Sequence, residues 1–226
     1  MLNFKFYNPT RIIFGKGRIK TVSREIPRGS KILVTYGGGS VRRHGVLDQV
    51  MKALEGCDVR EFGGIEPNPE YDTLMKAVQL ARSTGIDFLL AVGGGSVIDG
   101  TKFIAAAAVF EGDPWEILTS FGSKVSGALP FGTVLTLPAT SSEMNDGAVI
   151  SRRSINAKLH FAHPSVFPRF SVLDPATTFT LPPEQVSNGI VDTFVHITEQ
   201  YLTYPAGGKI QDRFAEGLLL TLIEDG

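Results

Sequence analysis

The feature that most restricts the fold of this chain is a regular alternation of short apolar runs with longer amphipathic stretches. In chain order, the runs and stretches cover residues 31–36, 41–54, 59–62, 70–83, 86–92 and 96–108. Strands that are apolar on both faces and alternate with helices are typical of a parallel sheet covered by helices. The sequence therefore predicts an α/β fold in β-α-β-α-β-α order, with its ligand site at the carboxyl ends of the strands.

The tetrapeptide Gly-Gly-Gly-Ser comes directly after two of these predicted strands, at residues 37–40 and 93–96. The second copy does not fit G-x-G-x-x-G, because Ile98 stands where the third glycine is needed, and it does not fit the P-loop pattern either. Glycines before a helix let an anion approach main-chain N–H groups at the positive end of that helix. The turn is predicted to hold a pyrophosphate, with Ser96 as N-cap and phosphate donor; the alternative is a tight turn without a ligand.

Two charged residues, Asp99 and Lys102, lie three positions apart on the helix predicted after the second turn. At that spacing both side chains are on one face of the helix, close to the proposed phosphate site. The carboxylate can bond to polar groups of a ribose or a nicotinamide. The alternative is an ordinary ion pair within the helix.

The first glycine turn lacks the acidic residue that folds of this type commonly use to bind the adenosine ribose. Arg42 and Arg43 come after the turn instead. A guanidinium beside small hydrogen-bond donors suits a 2′-phosphate, so the sequence favours NADP over NAD. The alternative is that both arginines are solvated helix residues.

A dense polar segment at residues 137–146 comes after a further β run and contains Thr140, Ser141 and Ser142. These hydroxyl groups can bond to the phosphates or ribose of a cofactor. The same composition also makes a plain surface loop, and the residues alone leave both interpretations open.

The chain changes character after the prolines at 182 and 183, where apolar residues recur at three- and four-residue spacing over 184–202 and 209–223. This pattern predicts an α/β domain over residues 1–181 and an all-helical segment over 182–226. Two such helices leave apolar faces uncovered. We therefore expect the chain to be an N-terminal part of a longer protein, with a compact two-helix appendage as the alternative.

The first of these helices places Asp192 and His196 four residues apart on one face. A carboxylate oxygen and an imidazole nitrogen at that spacing can bind one divalent metal such as Zn²⁺ or Fe²⁺, but a metal site needs three or four ligands. A surface hydrogen bond between the two side chains is the alternative.

The composition excludes several classes of partner. The formal net charge is −1 and no run of like charges is present, which argues against binding to nucleic acid or to an anionic membrane. No apolar run approaches the ~20 residues of a membrane span. The single cysteine, Cys57, is predicted to be a small core residue, and we expect a reducing, cytoplasmic compartment.

Together, these motifs resemble the iron-containing, or group III, alcohol dehydrogenase family, especially its NADPH-dependent aldehyde reductase and butanol dehydrogenase branch. The resemblance is carried, in chain order, by residues 8–17, 63–69, 93–102, 137–143, 173–175 and 189–196. It covers essentially the whole chain. Gly-Gly-Gly-Ser-x-x-Asp by itself is also similar to the glycerol dehydrogenase and dehydroquinate synthase enzymes.

The resemblance implies a Rossmann-like N-terminal domain with a parallel sheet and an all-helical domain, with NADP(H) and a divalent metal, Fe²⁺ or Zn²⁺, between them. It implies that Gly38, Gly39 and Ser40 surround the 2′-phosphate. The other cofactor contacts that it implies are Gly94, Gly95, Ser96, Asp99, Thr136, Thr140, Ser142 and Lys158.

The resemblance also implies an activity: reversible hydride transfer between NADP(H) and a small primary alcohol or aldehyde, in a homodimer. Asp192 and His196 match the first two metal ligands, which makes them the catalytic residues. The family takes two further histidine ligands from beyond residue 226, so we expect weak metal binding and poor turnover from this chain. A non-catalytic dinucleotide-binding module and an enzyme of the glycerol dehydrogenase or dehydroquinate synthase type are the alternatives.

One residue departs from the family pattern. Ser141 stands where a glycine is more usual in Thr-Gly-Ser-Glu. The change is expected to perturb the turn if this position needs a positive φ.

Overall fold

The computed structural model describes residues 3, 5–203 and 207–226. They form two compact units, one of residues Asn8–Phe179 and one that contains Thr180–Gly226 with the first residues of the chain. The division into domains at residues 181 and 182 stays a prediction, because compactness alone does not show that either part folds independently.

The larger unit is built on eight strands. They are β1 (Arg11–Phe14), β2 (Lys31–Tyr36), β3 (Asp58–Phe62), β4 (Phe88–Gly93), β5 (Phe131–Leu135), β6 (Gly147–Arg152), β7 (Ala157–Ala162) and β8 (Phe170–Leu173). Six of them form a parallel sheet in the order β1-β8-β5-β4-β2-β3, and β6 and β7 form a separate antiparallel hairpin. The predicted parallel α/β fold is confirmed.

The described residues also contain seven α-helices, which connect these strands or extend beyond them. They are α1 (Ser40–Arg43), α2 (Val46–Ala53), α3 (Tyr71–Thr84), α4 (Gly95–Val109), α5 (Trp115–Thr119), α6 (Pro183–Tyr201) and α7 (Lys209–Asp225). Short 3₁₀ helices occupy Arg18–Arg24, Ser142–Met144, Arg153–Ile155, Pro164–Val166 and Pro175–Thr180.

The central strand β4 shows why its sequence is apolar without interruption. Leu89 and Ala91 face the core that contains α3 and α4, whereas Phe88, Leu90 and Val92 face the core on the other side of the sheet, with α2. All five side chains are buried. A strand buried on both faces gains from an apolar residue at every position, and this produces a continuous apolar run.

The sheet order determines where the polar turns meet. Tyr36, the last residue of β2, pairs with Val92 of β4, and Gly93 pairs with Leu135 of β5. The two Gly-Gly-Gly-Ser turns and the polar segment after β5 therefore leave the same edge of the sheet side by side. This is the edge predicted to carry the ligand site.

Two details of the sequence prediction are wrong. The helix expected over 41–54 is interrupted, because Gly45 has a left-handed φ of 69° that an α-helix cannot contain, and α2 begins after it. Cys57 is exposed and not in the core. It comes after a turn at Gly56 with φ 84°, and the strand starts one residue later, at Asp58.

In the smaller unit, α6 and α7 pack against each other, and the hydroxyl of Tyr201 donates to Glu216 Oε1 at 3.1 Å. Neither helix contains a buried residue, and large apolar side chains such as Val191, Phe214 and Leu218 are more than half exposed. The two helices leave apolar surface open within this unit, as the sequence indicates. None of the helices in the described ranges is long and apolar enough to cross a membrane.

Candidate cofactor site

The second glycine turn and the polar loop after β5 are in direct contact. The N–H of Thr136 donates to the carbonyl oxygen of Gly93 at 3.1 Å. A Cβ atom placed on Gly95 would lie 2.5 Å from Thr140 Oγ1, and one on Gly94 would lie 3.2 Å from the Leu137 Cβ. The structure therefore brings together the predicted cofactor residues of the turn and of the loop. Gly95 is explained by this packing without any ligand.

The first turn behaves differently. A Cβ on Gly38 would meet no atom within 4 Å, and the φ of Gly38 lies outside the left-handed region. Neither the backbone conformation nor packing within the chain requires a glycine there. An open glycine at the carboxyl end of a parallel strand leaves room for a ligand to approach the main chain, which is the role that the sequence suggested for the turn.

The next residues, Gly39 and Ser40, lead into α1. Gly39 is the N-cap, with φ 105°, and Ser40 is the exposed first residue of the helix. A Cβ on Gly37 would lie 3.5 Å from Val97 Cγ2 of α4, so the first turn lies beside the start of α4. Both turns thus border one region of the surface.

Ser96 is not the N-cap that the sequence predicts. Gly94 is the cap residue of α4, with an extended backbone and no side-chain cap bond, and Ser96 is the second residue of the helix. Its Oγ accepts a hydrogen bond from the N–H of Asn68 at 3.2 Å. The cap lies two residues earlier than expected because Gly94 makes the turn.

Asp99 fastens the polar loop to α4. Its Oδ1 accepts from the hydroxyl of Ser142 at 2.5 Å, and its Oδ2 accepts from the N–H of Val149 in β6 at 2.9 Å. Ser142 is buried at this contact. Both carboxylate oxygens are therefore already bonded within the chain, and the sequence did not indicate this role.

Lys102 holds the same segment from one turn further along α4. Its ammonium donates to Asn145 Oδ1 at 2.7 Å and to the carbonyl oxygen of Gly147 at 2.8 Å. The ion pair with Asp99, which was the alternative interpretation, is not among the ion pairs of the described residues. The side chain is fully buried, and this burial lowers the pKa of Lys102 to about 8, against the opposing effect of Asp99.

Ser141 occupies the left-handed region, with φ 53° and ψ 20°. This is the conformation for which the family pattern has glycine, so the expected perturbation falls on a position that does need a positive φ. A serine there is strained relative to glycine. The segment after the turn is held by α4, because Asp99 bonds to Ser142 and Lys102 bonds to Asn145.

One residue of the site was not predicted from the sequence. Asn68, between two prolines, links Ser96 to Lys158: its N–H donates to Ser96 Oγ, and its Oδ1 accepts from Lys158 Nζ at 2.7 Å. Lys158, a predicted cofactor residue, is therefore connected to Ser96 of the second glycine turn through Asn68. The signal in the sequence was an asparagine in a Pro-Asn-Pro turn, which alone does not show a contact.

The two arginines after the first turn have different surroundings. Arg42 bonds to the hydroxyl of Tyr36 and to Glu61 Oε2, and the Tyr36 bond raises the pKa of Arg42 above its ordinary value. Arg43 instead points back at the turn, with Nη1 3.6 Å from where a Cβ on Gly39 would be. Of the pair, Arg43 is placed to meet an anion at the turn.

Asp192 and His196 face each other on α6. Asp192 Oδ2 and His196 Nδ1 are 3.8 Å apart, and both side chains are about half exposed. His196 also lines an open hollow of about 380 Å³ between α6 and α7. The described residues contain no group of three or more His, Cys, Asp or Glu side chains that could hold a metal ion. Asp192 and His196 fit as two ligands of a metal, and they do not complete a site.

A comparison with known families decides what kind of chain this is. A family model described as "Iron-containing alcohol dehydrogenase" matches residues 9–175, which is most of the chain. The chain belongs to the iron-containing alcohol dehydrogenase family. The resemblance seen in the sequence motifs is confirmed.

Individual relatives agree with this assignment. The chain is 61% identical to the NADPH-dependent aldehyde reductase YqhD of Escherichia coli over 228 residues, covering 100% of this chain and 59% of the relative. It is 48% identical to a probable NADH-dependent butanol dehydrogenase of Bacillus subtilis, covering 99% of this chain and 58% of the relative. The chain therefore spans less than two thirds of the length of these relatives.

Solved structures resemble the fold closely. The crystal structure of YqhD from E. coli superposes with a TM-score of 0.94 at 61% identity, covering 99% of this chain and 58% of that one. NADH-dependent butanol dehydrogenase A from Thermotoga maritima superposes with a TM-score of 0.90 at 39% identity, covering 98% and 56%. The arrangement of strands and turns described above is that of the family.

The strain at Ser141 predicts that Ser141→Gly stabilises the chain. Glycine adopts the left-handed conformation freely, and after its greater entropy loss on folding we expect a net gain of about 0.5–1 kcal/mol in the free energy of unfolding. Urea denaturation measures this. Ser83→Gly, in the regular helix α3, is the control and should lose stability; a loss of similar size in both variants would contradict the prediction.

The buried ammonium of Lys102 predicts a pH dependence of stability. Between pH 8 and pH 10.5 the unfolded chain binds more protons at this residue than the folded chain, so unfolding becomes less favourable as the pH rises. Over that interval the gain attributable to Lys102 is about 3 kcal/mol, present in full only above pH 10.5.

Lys102→Met should remove this gain, and denaturant titrations at the two pH values measure it. Lys124→Met, which replaces an exposed lysine paired with Glu116, should keep the wild-type dependence. Identical pH dependence in Lys102→Met and wild type would show that the buried group does not titrate in this range.

Proposed function

We propose that this chain forms the dinucleotide-binding part of a metal-dependent, NADPH-linked alcohol dehydrogenase that interconverts small aldehydes and primary alcohols. The observation that carries the proposal is Gly38, which follows the carboxyl end of β2, an interior strand of the parallel sheet. Neither its backbone conformation nor its packing explains a glycine there. A family whose members include NADPH- and NADH-dependent enzymes supplies the class of ligand.

The two turns suit the two ends of one extended cofactor. Gly38, Gly39 and Ser40 would contact the adenosine end, where the main chain is open. Gly94 and Gly95 would present the N-terminus of the 15-residue helix α4 to the pyrophosphate. The remaining contacts proposed toward the pyrophosphate and nicotinamide are Ser96, Thr136, Thr140 and Lys158. Asp99 and Ser142, which bond to each other, would support the cofactor by holding the polar loop in place.

A preference for NADP over NAD is consistent with the charges around the first turn. Glu61 is paired with Arg42 at 2.5 Å. This ion pair reduces the repulsion between the Glu61 carboxylate and a phosphate at the first turn. Arg43 lies beside Gly39 and can pair with the 2′-phosphate. The E. coli relative is named NADPH-dependent and the B. subtilis relative NADH-dependent, so the preference proposed here rests on Arg43.

Asp192 and His196 are the proposed catalytic residues because they can hold two coordination positions of a divalent metal, Fe²⁺ or Zn²⁺. When bound, the metal polarises the substrate carbonyl and NADPH supplies the hydride. This chain's own part is to present the carboxylate and imidazole from one helical face and to fix the cofactor through the turns. The two further histidine ligands implied by the family resemblance would complete the site.

The remaining features of the proposal derive from the family. The substrate is a small aldehyde or alcohol, the assembly a homodimer, and the compartment the cytoplasm. A second candidate is a dinucleotide-binding module without catalysis, which would use the same glycine turns and would need no metal at Asp192 and His196. Measurements of NADPH binding and of aldehyde-dependent NADPH oxidation distinguish the two candidate functions.

The open space at Gly38 predicts that Gly38→Ala impairs cofactor binding without harming the fold. The added Cβ meets no protein atom, so stability stays the same or rises by about 0.5 kcal/mol, while the affinity for NADPH falls by about tenfold. Fluorescence titration with NADPH and with NADH measures affinity and preference.

Gly127→Ala is the matched control for this titration, because Gly127 is equally open and also has no left-handed φ. It should bind NADPH as the wild type does. Equal affinity in all three proteins, or no binding of either nucleotide by the wild type, would overturn the assignment of the first turn.

Asp192 and His196 supply only two metal ligands, which predicts that turnover needs further ligands from outside these 226 residues. The chain alone should bind NADPH and oxidise little of it with butanal and Fe²⁺ or Zn²⁺. A chimera that continues from Gly226 into the remainder of the E. coli relative should reduce butanal in a metal-dependent reaction. In that chimera His196→Ala and Asp192→Ala should lower kcat/KM by about 100-fold or more.

His160→Ala, outside α6, is the control in the chimera and should keep activity. A chimera that binds NADPH but never consumes it with an aldehyde would favour the binding module. Activity that survives His196→Ala would refute the metal assignment.

A further inference from the structure

The polar loop after β5 contains three consecutive hydroxyl residues, and the structure uses them differently. Thr140 Oγ1 accepts from the N–H of Ser142 at 3.3 Å and lies against Gly95. The hydroxyl of Ser142 donates to Asp99 and is buried. Ser141 is exposed, and its hydroxyl bonds to no other group among the residues that the structure describes. Of the three hydroxyls, that of Ser141 is therefore the one left fully available to a ligand.

The backbone of Ser141 is held in an unfavourable conformation. With φ 53° and ψ 20° it lies in the left-handed region, which a residue with a Cβ atom rarely adopts. Because the side chain is exposed and bonds to nothing in the described ranges, neither burial nor an internal hydrogen bond of this side chain offsets the cost. Backbone strain of this kind is concentrated at ligand-binding sites, so the serine calls for an explanation from outside the chain.

The turn at Ser141 is fixed in place next to the start of α4. The N–H of Met144 donates to the carbonyl oxygen of Ser141 at 3.0 Å, and the side-chain amide of Asn145 donates to the carbonyl oxygen of Thr140 at 3.4 Å. Thr140 contacts Gly95, the first residue of α4, and consecutive Cα atoms are only about 3.8 Å apart. Ser141 is therefore held within one residue of the helix N-terminus that is proposed to receive the pyrophosphate.

We propose that Ser141 is a cofactor-binding residue whose hydroxyl donates a hydrogen bond to a pyrophosphate oxygen of NADP(H). The family pattern has glycine at this position, and glycine offers no side-chain donor, so the bond is an addition made by this chain. A hydroxyl that donates to an ionised oxygen forms a stronger bond than one between neutral groups, which compensates for the strained backbone. The inference rests on the proposed binding of NADP(H) at the glycine turns.

Two substitutions separate the hydroxyl from the backbone strain. Ser141→Ala keeps the Cβ atom, and with it the strain, but removes the hydroxyl. Ser141→Gly removes both the hydroxyl and the strain. Ser123→Ala is the matched control, because Ser123 is likewise exposed in a turn, the one that follows α5.

The first measurement is the affinity for NADPH and for NADH by fluorescence titration. Ser141→Ala and Ser141→Gly should each weaken the binding of NADPH by about tenfold, the effect of one lost hydrogen bond to a charged group. The loss should be the same for NADH, because both nucleotides contain the pyrophosphate. Ser123→Ala should bind as the wild type does. Unchanged affinity in Ser141→Ala would overturn the proposed bond, and a loss confined to NADPH would overturn its assignment to the pyrophosphate.

The second measurement is the melting temperature without any cofactor. Ser141→Ala should melt within about 1 °C of the wild type, and Ser141→Gly should melt about 2 °C higher because the strain is relieved. A variant that is more stable and yet binds more weakly separates binding from folding. A Ser141→Gly variant that is more stable and binds NADPH as tightly as the wild type would overturn the inference. Failure of the wild type to bind either nucleotide would instead overturn the proposed function, and the melting temperatures do not depend on that result.

Discussion

The parallel pairing of β2 with β4 is the interaction on which the site depends. It brings the ends of two strands that lie more than fifty residues apart in sequence to the same edge, with Tyr36 opposite Val92. Each strand is buried on both faces, so neither can shift register without exposing apolar side chains to water. The two glycine turns are therefore adjacent because of the core, and any ligand that spans them uses a distance set by strand spacing.

Helix α4 holds the polar loop after β5 in place. It is almost entirely buried, yet it contains a carboxylate and an ammonium group one turn apart. Asp99 and Lys102 do not neutralise each other directly; each bonds to the segment between β5 and β6 or to the start of β6. Burying these charges is unfavourable unless they are bonded, so the loop and the helix depend on each other.

The features predicted correctly from the sequence are those that arise from periodicity and local conformation. The α/β alternation and the position of the glycine turns depend on neighbouring residues, whereas the significance of Ser141 came from the family resemblance. The missed features join residues far apart in sequence: Asp99 bonds to residues 43 and 50 positions later, and Asn68 to a lysine 90 positions later. No pattern in a single sequence encodes such pairs before the topology is known. The role of Arg42 was missed for the same reason, because its partner Glu61 lies on β3, the strand that pairs with β2.

Arg42 and Arg43 are consecutive in the chain and differ in what the fold requires of them. Arg42 stacks on Tyr36 and pairs with the end of β3, and a change there would disturb two strands. Arg43 points at the turn instead, so substitutions at this position can alter the charge beside the turn while leaving the sheet intact. Such a separation allows the charge beside the turn to change during evolution without a penalty in folding.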